Sequence, residues 1–148
     1  MIKQLLLVSL LILGCAPENT QNTAQVYLLT DGSSIDFASP EKLVVINYWA
    51  IWCAPCRREV PELNQLQQEH GDRLRVIAVN FDGSQGENLH AEMDRLGIKF
   101  ASLLQDPRQL WGLEPVEVLP ETLIISSHGE LLHRLIGPQT KVSLEALL

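Results

Sequence analysis

Two cysteines separated by two residues are the part of this sequence whose type and spacing most directly indicate chemistry. Cys53 and Cys56 flank an Ala-Pro pair, between an apolar run typical of a buried strand and a segment with helical periodicity. Cys53 is then at a helix N-terminus, where free N–H groups and the helix dipole stabilise a thiolate. Cys56, on the first turn, is close enough to form a disulfide with it. The pattern predicts a reversible dithiol, with Cys53 as the exposed nucleophile and Cys56 as the more buried resolving thiol.

The residue types alone leave other uses of this cysteine pair open. Covalent haem attachment needs a histidine directly after the second cysteine, and Arg57 is there instead. A zinc site needs two further ligands. The candidate ligands are the four histidines, His70, His90, His128 and His133. A purely structural disulfide is the third possibility, although a two-residue spacer closes only a small loop. We expect neither a metal nor a cofactor.

The elements that must hold the pair alternate between strands and helices. Apolar runs predict buried strands at residues 43–49 and 74–81. A helix follows Cys56, and a second helix carries Leu89, Met93 and Leu96 before Gly97 ends it. The other predicted elements are a hairpin of 26–29 and 35–37, a short strand at 101–104, a helical turn at 107–111, a hairpin of 122–126 and 131–136, and a last helix at 143–148. This alternation predicts an α/β fold with a mixed sheet and helices on its faces.

The first 24 residues have a different character. Residues 5–13 are apolar apart from one serine, follow a single lysine, and end at Gly14-Cys15. The run is too short to span a bilayer and is typical of a secretory signal peptide, which we place at residues 1–14. Residues 12–15 (ILGC) resemble the lipobox of bacterial lipoproteins, which implies lipidation of Cys15. Residues 15–24 would then be the lipidated cysteine and a polar tether, and 25–148 the folded domain. An ordinary signal peptide that is cut elsewhere is the alternative.

Composition narrows the class of protein further. The chain has 148 residues, of which 46% are hydrophobic, with 11 Lys and Arg against 18 Asp and Glu, a net charge of −7. This length is enough for one domain with its own core, and three cysteines are too few for a disulfide scaffold. Nucleic acid is excluded as a partner because phosphate binding needs clustered positive charge. We expect a monomer.

Four segments resemble a known family. Residues 48–56 (YWAIWCAPC) resemble the active-site segment of the thioredoxin superfamily. Residues 57–61 (RREVP), Val79-Asn80 and residues 119–122 (LPET) are similar to its TlpA/ResA group of extracytoplasmic thiol–disulfide oxidoreductases. The resemblance extends from about residue 26 to 148. It implies a thioredoxin-like fold, with a central mixed sheet flanked by helices and an N-terminal β-hairpin extension.

The resemblance also implies roles for residues outside the cysteine pair. Pro120 would be cis and lie against the cysteines, and with Leu119 it would pair with an extended substrate segment. Trp52 would be partly exposed to partners. Glu59 would move protons for the thiols, because Asn47 occupies the position of the buried acid in thioredoxin. A proline that merely begins a strand and a solvated helix glutamate are the alternatives for Pro120 and Glu59.

The resemblance implies a reductase of protein disulfides, and the N-terminal segment predicts a place on the periplasmic side of a bacterial cell envelope. It would be attached to a membrane through lipidated Cys15, and Ala16 favours the outer membrane in a Gram-negative organism. A membrane thiol–disulfide electron donor would keep it reduced. One alternative is a cytochrome c maturation thioredoxin that reduces apocytochrome thiols, a branch to which Glu121 after Pro120 is similar. The other is a non-catalytic redox-sensing or metal-binding module.

Overall fold

A computed structural model of the chain describes residues 25–148. The predicted signal peptide, the Cys15 lipidation site and the polar tether lie outside the described residues. Within residues 25–148, no helix combines the length and the apolar character needed to cross a membrane.

The described chain begins with an antiparallel hairpin and continues into a mixed four-stranded sheet. The hairpin consists of β1 (Val26–Leu28) and β2 (Ser34–Asp36). The sheet contains β3 (Leu43–Trp49), β4 (Leu74–Asn80), β5 (Glu121–Ile125) and β6 (Leu131–Ile136), in the order β4-β3-β5-β6. Strand β3 pairs in parallel with β4 and antiparallel with β5, which pairs antiparallel with β6. The N-terminal hairpin and the mixed sheet confirm the predicted architecture.

The helices are α1 (Ala54–His70), α2 (Gly86–Leu96) and α3 (Lys141–Glu145), and a 3₁₀ turn spans Arg108–Trp111. Helices α1 and α2 bury their apolar residues in one core cluster, which also contains both cysteines of the pair and Leu144 of α3. A second cluster on the other face of the sheet includes Ile35 of the hairpin and contacts the 3₁₀ turn. Because both faces are covered, β3 and β4 are apolar along almost their whole length.

Two predicted elements differ in the structure. Residues 101–104 do not form a strand; they make two isolated bridges, from Leu103 to Leu29 and from Ser102 to Ala78. The last helix begins and ends earlier than residues 143–148. Its start is fixed by a capping box, in which Thr140 Oγ1 accepts from the Ser143 N–H and Ser143 Oγ accepts from the Thr140 N–H.

Candidate active site

The first helix begins at a disulfide between Cys53 and Cys56. Cys53 is the N-cap residue of α1, with extended backbone, and its Sγ accepts a hydrogen bond from the Cys56 N–H at 3.2 Å. The first turn of α1 contains no acidic side chain, and Arg57 lies on it, exposed to solvent. The positive end of the helix dipole therefore faces the Cys53 sulfur without a nearby carboxylate on that turn.

The prediction of an exposed Cys53 is wrong for the oxidised pair. Cys53 is 3% exposed and Cys56 is 1% exposed. Cys53 is covered because its sulfur is bonded to Cys56 and packs into the core cluster of α1 and the sheet. Its two chain neighbours, Trp52 and Ala54, are both exposed. The disulfide thus lies just beneath the surface, and Cys53 is the less buried of the two cysteines.

An exposed aromatic pair lies next to the disulfide. Trp52 is 61% exposed, and its Nε1–H donates to both carboxylate oxygens of Asp82 at 3.0 and 3.2 Å. The Trp52 ring packs edge-on against Phe81, with 6.0 Å between the ring centroids. These contacts fix the orientation of a large apolar side chain that faces solvent, as is typical of a contact surface for another protein.

Phe81 also lines a surface groove of about 550 Å³. Tyr48 and Arg108 line the same groove, and several uncharged polar residues contribute to it: Asn80, Ser84, Gln85, Gln105 and Gln109. Phe81 thus contributes both to the groove and to the ring contact with Trp52, the residue before Cys53.

Pro120 is buried at the start of β5, and the peptide bond between Leu119 and Pro120 is cis. Leu119 packs against the core cluster that contains both cysteines. The Pro120 carbonyl oxygen accepts a hydrogen bond from the Gly137 N–H at 2.9 Å. Leu119 and both cysteines thus contact the same core cluster. The role of Leu119 and Pro120 in substrate binding stays a prediction.

Glu59 is a buried carboxyl group on α1. It is 1% exposed, so the alternative of a solvated helix glutamate is wrong. Its Oε2 accepts from Asn47 Nδ2 at 2.9 Å, and its Oε1 accepts from the Gln139 N–H at 2.8 Å. Burial raises the pKa of Glu59 to about 7, although the hydrogen bonds from Gln139 and Asn47 act in the opposite direction. A proton can therefore be gained or lost here near neutral pH.

Sequence reasoning missed the partners of this carboxyl group. The Asn47 side chain is part of the site. Its Nδ2 donates to the Glu59 carboxylate and also to the Thr122 hydroxyl, which is 3.1 Å away. A polar residue in the middle of an apolar strand was the available signal for Asn47. The Gln139 contact is made by the main chain and leaves no signal in the sequence.

Glu121, which follows Pro120, lies in a buried ion network. It is 1% exposed and accepts from Arg108 Nη2 at 2.6 Å and from Arg134 Nη2 at 3.0 Å. Arg108 is itself only 4% exposed, and its guanidinium lies 4.8 Å from the centre of the Tyr48 ring. Both guanidinium groups therefore contact the Glu121 carboxylate. Sequence reasoning did not identify Arg108.

In the part of the chain that the structure describes, no histidine joins the cysteine pair in a cluster with metal-ligand spacing. Within residues 25–148, the described cluster with metal-ligand spacing is Glu69, His70 and Glu145, at the other end of α1. His70 already contacts Glu145, and Lys141 binds both carboxylates of the cluster.

A mixed sheet with a disulfide at the N-terminus of the helix after β3 defines the thioredoxin-like class of thiol–disulfide oxidoreductases. Comparisons agree with this assignment. The chain is similar to the thioredoxin-like protein YneN of Bacillus subtilis, with 34% identity over 118 residues, covering 78% of this chain and 68% of YneN. It is 30% identical to the thiol-disulfide oxidoreductase ResA of Bacillus anthracis, over 72% of this chain and 62% of ResA, less than two thirds of that protein.

A solved structure supports the fold, and a family model supports the relationship. The crystal structure of StoA from Bacillus subtilis matches with a TM-score of 0.67 at 20% identity, over 82% of this chain and 93% of StoA. Residues 15–134 match the model of the AhpC/TSA family. The chain belongs to this family, and the predicted similarity to ResA-like oxidoreductases is confirmed.

Proposed function

We propose that this protein reduces disulfide bonds in other proteins through the Cys53–Cys56 pair. The observation that carries the proposal is the placement of Cys53 as the N-cap of α1, with its sulfur bonded to Cys56 and accepting a main-chain N–H. Such a position stabilises a thiolate, which is the form that attacks disulfides.

The reaction transfers two electrons from the reduced pair to the substrate. The Cys53 thiolate attacks one sulfur of a substrate disulfide, which forms a mixed disulfide and releases the other substrate sulfur as a thiolate. The Cys56 thiolate then attacks the Cys53 sulfur. This step restores the Cys53–Cys56 disulfide and releases the second substrate sulfur. The substrate disulfide is reduced to two thiols, and the enzyme pair is oxidised. We assign the first attack to Cys53 because it is the N-cap residue of α1, where the helix dipole stabilises a thiolate.

Glu59 supports this exchange as a proton acceptor and donor. It lies three residues after Cys56, so both side chains are on the same face of α1, and both are buried. The Cys56 thiol must lose its proton before it attacks the mixed disulfide. A carboxyl group whose pKa is raised by burial to about 7 can take up that proton near neutral pH and return it later.

Substrate contacts are provided by the surface around the disulfide. Trp52 offers an exposed, oriented indole ring, and Leu119, next to Pro120, packs against the core cluster that contains both cysteines. The groove beside Phe81 has room for side chains that flank the substrate disulfide. An extended, partly apolar protein segment fits this combination.

The place of action that we propose is the outer side of a bacterial membrane. The support comes from the sequence of residues 1–24, where an apolar run ends at Cys15. Lipidated Cys15 would anchor the domain, and a membrane thiol–disulfide donor would reduce it. Replacing Cys15 by serine is expected to move the protein from the membrane fraction to the soluble fraction after cell lysis. Retention in the membrane fraction would contradict the anchor.

Reduction of insulin by dithiothreitol tests the proposed activity. The wild-type protein is expected to accelerate precipitation of the insulin B chain, and Cys53→Ser is expected to lose this activity completely. Cys15→Ser is the matched control, because it removes a cysteine of the same chain that lies outside the pair. A wild-type protein that does not accelerate the reaction would contradict the proposal and favour a non-catalytic module.

A further inference from the structure

The segment between β6 and α3 donates main-chain hydrogen bonds to two separate parts of the site. We call residues 137–141, the last of which is the first residue of α3, the strap. Its Gly137 N–H donates to the Pro120 carbonyl oxygen at 2.9 Å, and its Gln139 N–H donates to Glu59 Oε1 at 2.8 Å. Its Lys141 N–H donates to Glu62 Oε2 at 2.9 Å. The donors are alternate residues, and each bonds to a different acceptor: the Pro120 carbonyl, Glu59 and Glu62.

Both ends of the strap are held by other contacts. At its start, Gly137 follows the last residue of β6. At its end, the capping box of Thr140 fixes the first turn of α3, and Lys141 Nζ binds carboxylates of Glu69 on α1 and Glu145 on α3. The N–H donors are therefore held in position without depending on the Glu59 contact.

The partners that hold the Glu59 carboxylate are uncharged. Asn47 of β3 contributes its side-chain amide, and the strap contributes the Gln139 N–H. The causes that set the pKa of Glu59 are its burial and hydrogen bonds from Gln139, Asn47 and Thr122, with no charged group among them. Glu62 of α1 and Lys141 are bonded to each other through the Lys141 N–H. The thiols of the cysteine pair titrate only when the disulfide is reduced. Burial raises the pKa of Glu59, and the hydrogen bond from the Gln139 N–H lowers it more than any other contact does.

We propose that the strap is a positioning element of the redox site, which holds the Glu59 carboxylate through the Gln139 N–H while Gly137 holds Pro120 from the same segment. This proposal rests on the proposed function, because it assigns the strap a part in proton transfer by Glu59. Gln139 is a positioning residue through its main chain, so the identity of its side chain is of little importance to this contact. A hydrogen bond to the ionised carboxylate is stronger than one to the neutral acid, and the strap therefore adjusts the pH at which Glu59 is available as a base.

A pair of substitutions at one position separates the main chain from the side chain. Gln139→Pro removes the N–H donor, whereas Gln139→Ala keeps it and removes only the side-chain contacts with Gly137 and Ser143. The measurement is the titration of Glu59 by NMR in the oxidised full chain, with glutamate labelled by ¹³C at Cδ. The Glu59 resonance is identified by its loss in Glu59→Gln.

The expected result is a Glu59 titration midpoint about one pH unit higher in Gln139→Pro than in wild type, and an unchanged midpoint in Gln139→Ala. A midpoint that is the same in the proline and alanine variants would overturn the proposal. If Gln139→Pro does not fold, the wild-type protein provides the test. The Gln139 amide proton is expected to titrate with the same midpoint as the Glu59 Cδ, and to lose this titration in Glu59→Gln. An amide resonance that does not respond to pH in wild type would overturn the proposal equally.

The outcome is independent of catalysis, since it is measured on the oxidised protein without substrate. An unchanged Glu59 midpoint in Gln139→Pro contradicts the strap alone. A failure of the wild-type protein to reduce insulin contradicts the proposed function and leaves the titration result as it stands.

Discussion

Replacing Glu59 by glutamine is expected to change how the stability of the protein depends on pH. Burial raises the pKa of Glu59 from 4.5 to about 7 in the folded protein. Between these values the folded protein binds a proton that the unfolded chain has released. The free energy of unfolding therefore falls as pH rises through this window. Below this pH window, Glu59 is protonated in both the folded and the unfolded state, and its burial does not reduce stability through ionisation. Above the window, the folded protein buries an ionised carboxylate, and the loss of stability is complete.

The size of the effect follows from the difference between the two pKa values. About 7 minus 4.5 is about 2.5 pKa units, which corresponds to about 3 kcal/mol. The side chain is 1% exposed, so solvent screening does not reduce this value substantially. Glutamine cannot ionise. Any change that it causes in the hydrogen bonds with Asn47 and Gln139 adds an offset that is the same at every pH.

Urea unfolding of the oxidised proteins between pH 4 and pH 8 measures this difference. Relative to wild type, Glu59→Gln is expected to gain about 3 kcal/mol between the two ends of this range. Glu114→Gln, a substitution of an exposed glutamate, is the control and is expected to run parallel to wild type. A Glu59→Gln curve that is also parallel to wild type would refute the reasoning about burial.

Two further substitutions test contacts near the site by urea unfolding. Arg108→Met is expected to lower the free energy of unfolding by about 3–5 kcal/mol, because it removes one cation from buried Glu121. A loss below about 1 kcal/mol is typical of an exposed ion pair and would contradict a buried ion network. Gly129→Ala is expected to cost more than Gly83→Ala. Both glycines have positive φ, but only at Gly129 would the new Cβ lie 2.1 Å from the Phe37 carbonyl oxygen. Equal losses would contradict that steric argument.

Local sequence was enough to predict the fold and the position of the cysteine pair. The apolar run before Cys53 and the helical periodicity after Cys56 describe a strand followed by a helix without any information on distant contacts. The resemblance of the surrounding segments then implied the thioredoxin-like arrangement. Both inferences depend on residues that are adjacent along the chain.

The surroundings of the site depend on contacts between distant residues and were not predictable in the same way. Glu59 is buried by groups that lie 12 and 80 residues away, Asn47 and the Gln139 N–H. The exposure of Cys53 was predicted incorrectly, because helix position alone does not determine how neighbouring side chains cover the sulfur. The segment around Ser102 has a composition typical of a strand, yet it makes only isolated bridges.

Trapping of a mixed disulfide tests the central claim most directly. Cys56→Ser removes the thiol that resolves the intermediate and leaves Cys53 free to attack a substrate disulfide. When reduced Cys56→Ser is mixed with oxidised insulin, a covalent complex through Cys53 is expected on a non-reducing gel and by mass spectrometry, and dithiothreitol is expected to release it. Cys53→Ser is expected to form little or none. A complex that forms through Cys56 in Cys53→Ser, and not through Cys53 in Cys56→Ser, would contradict the account.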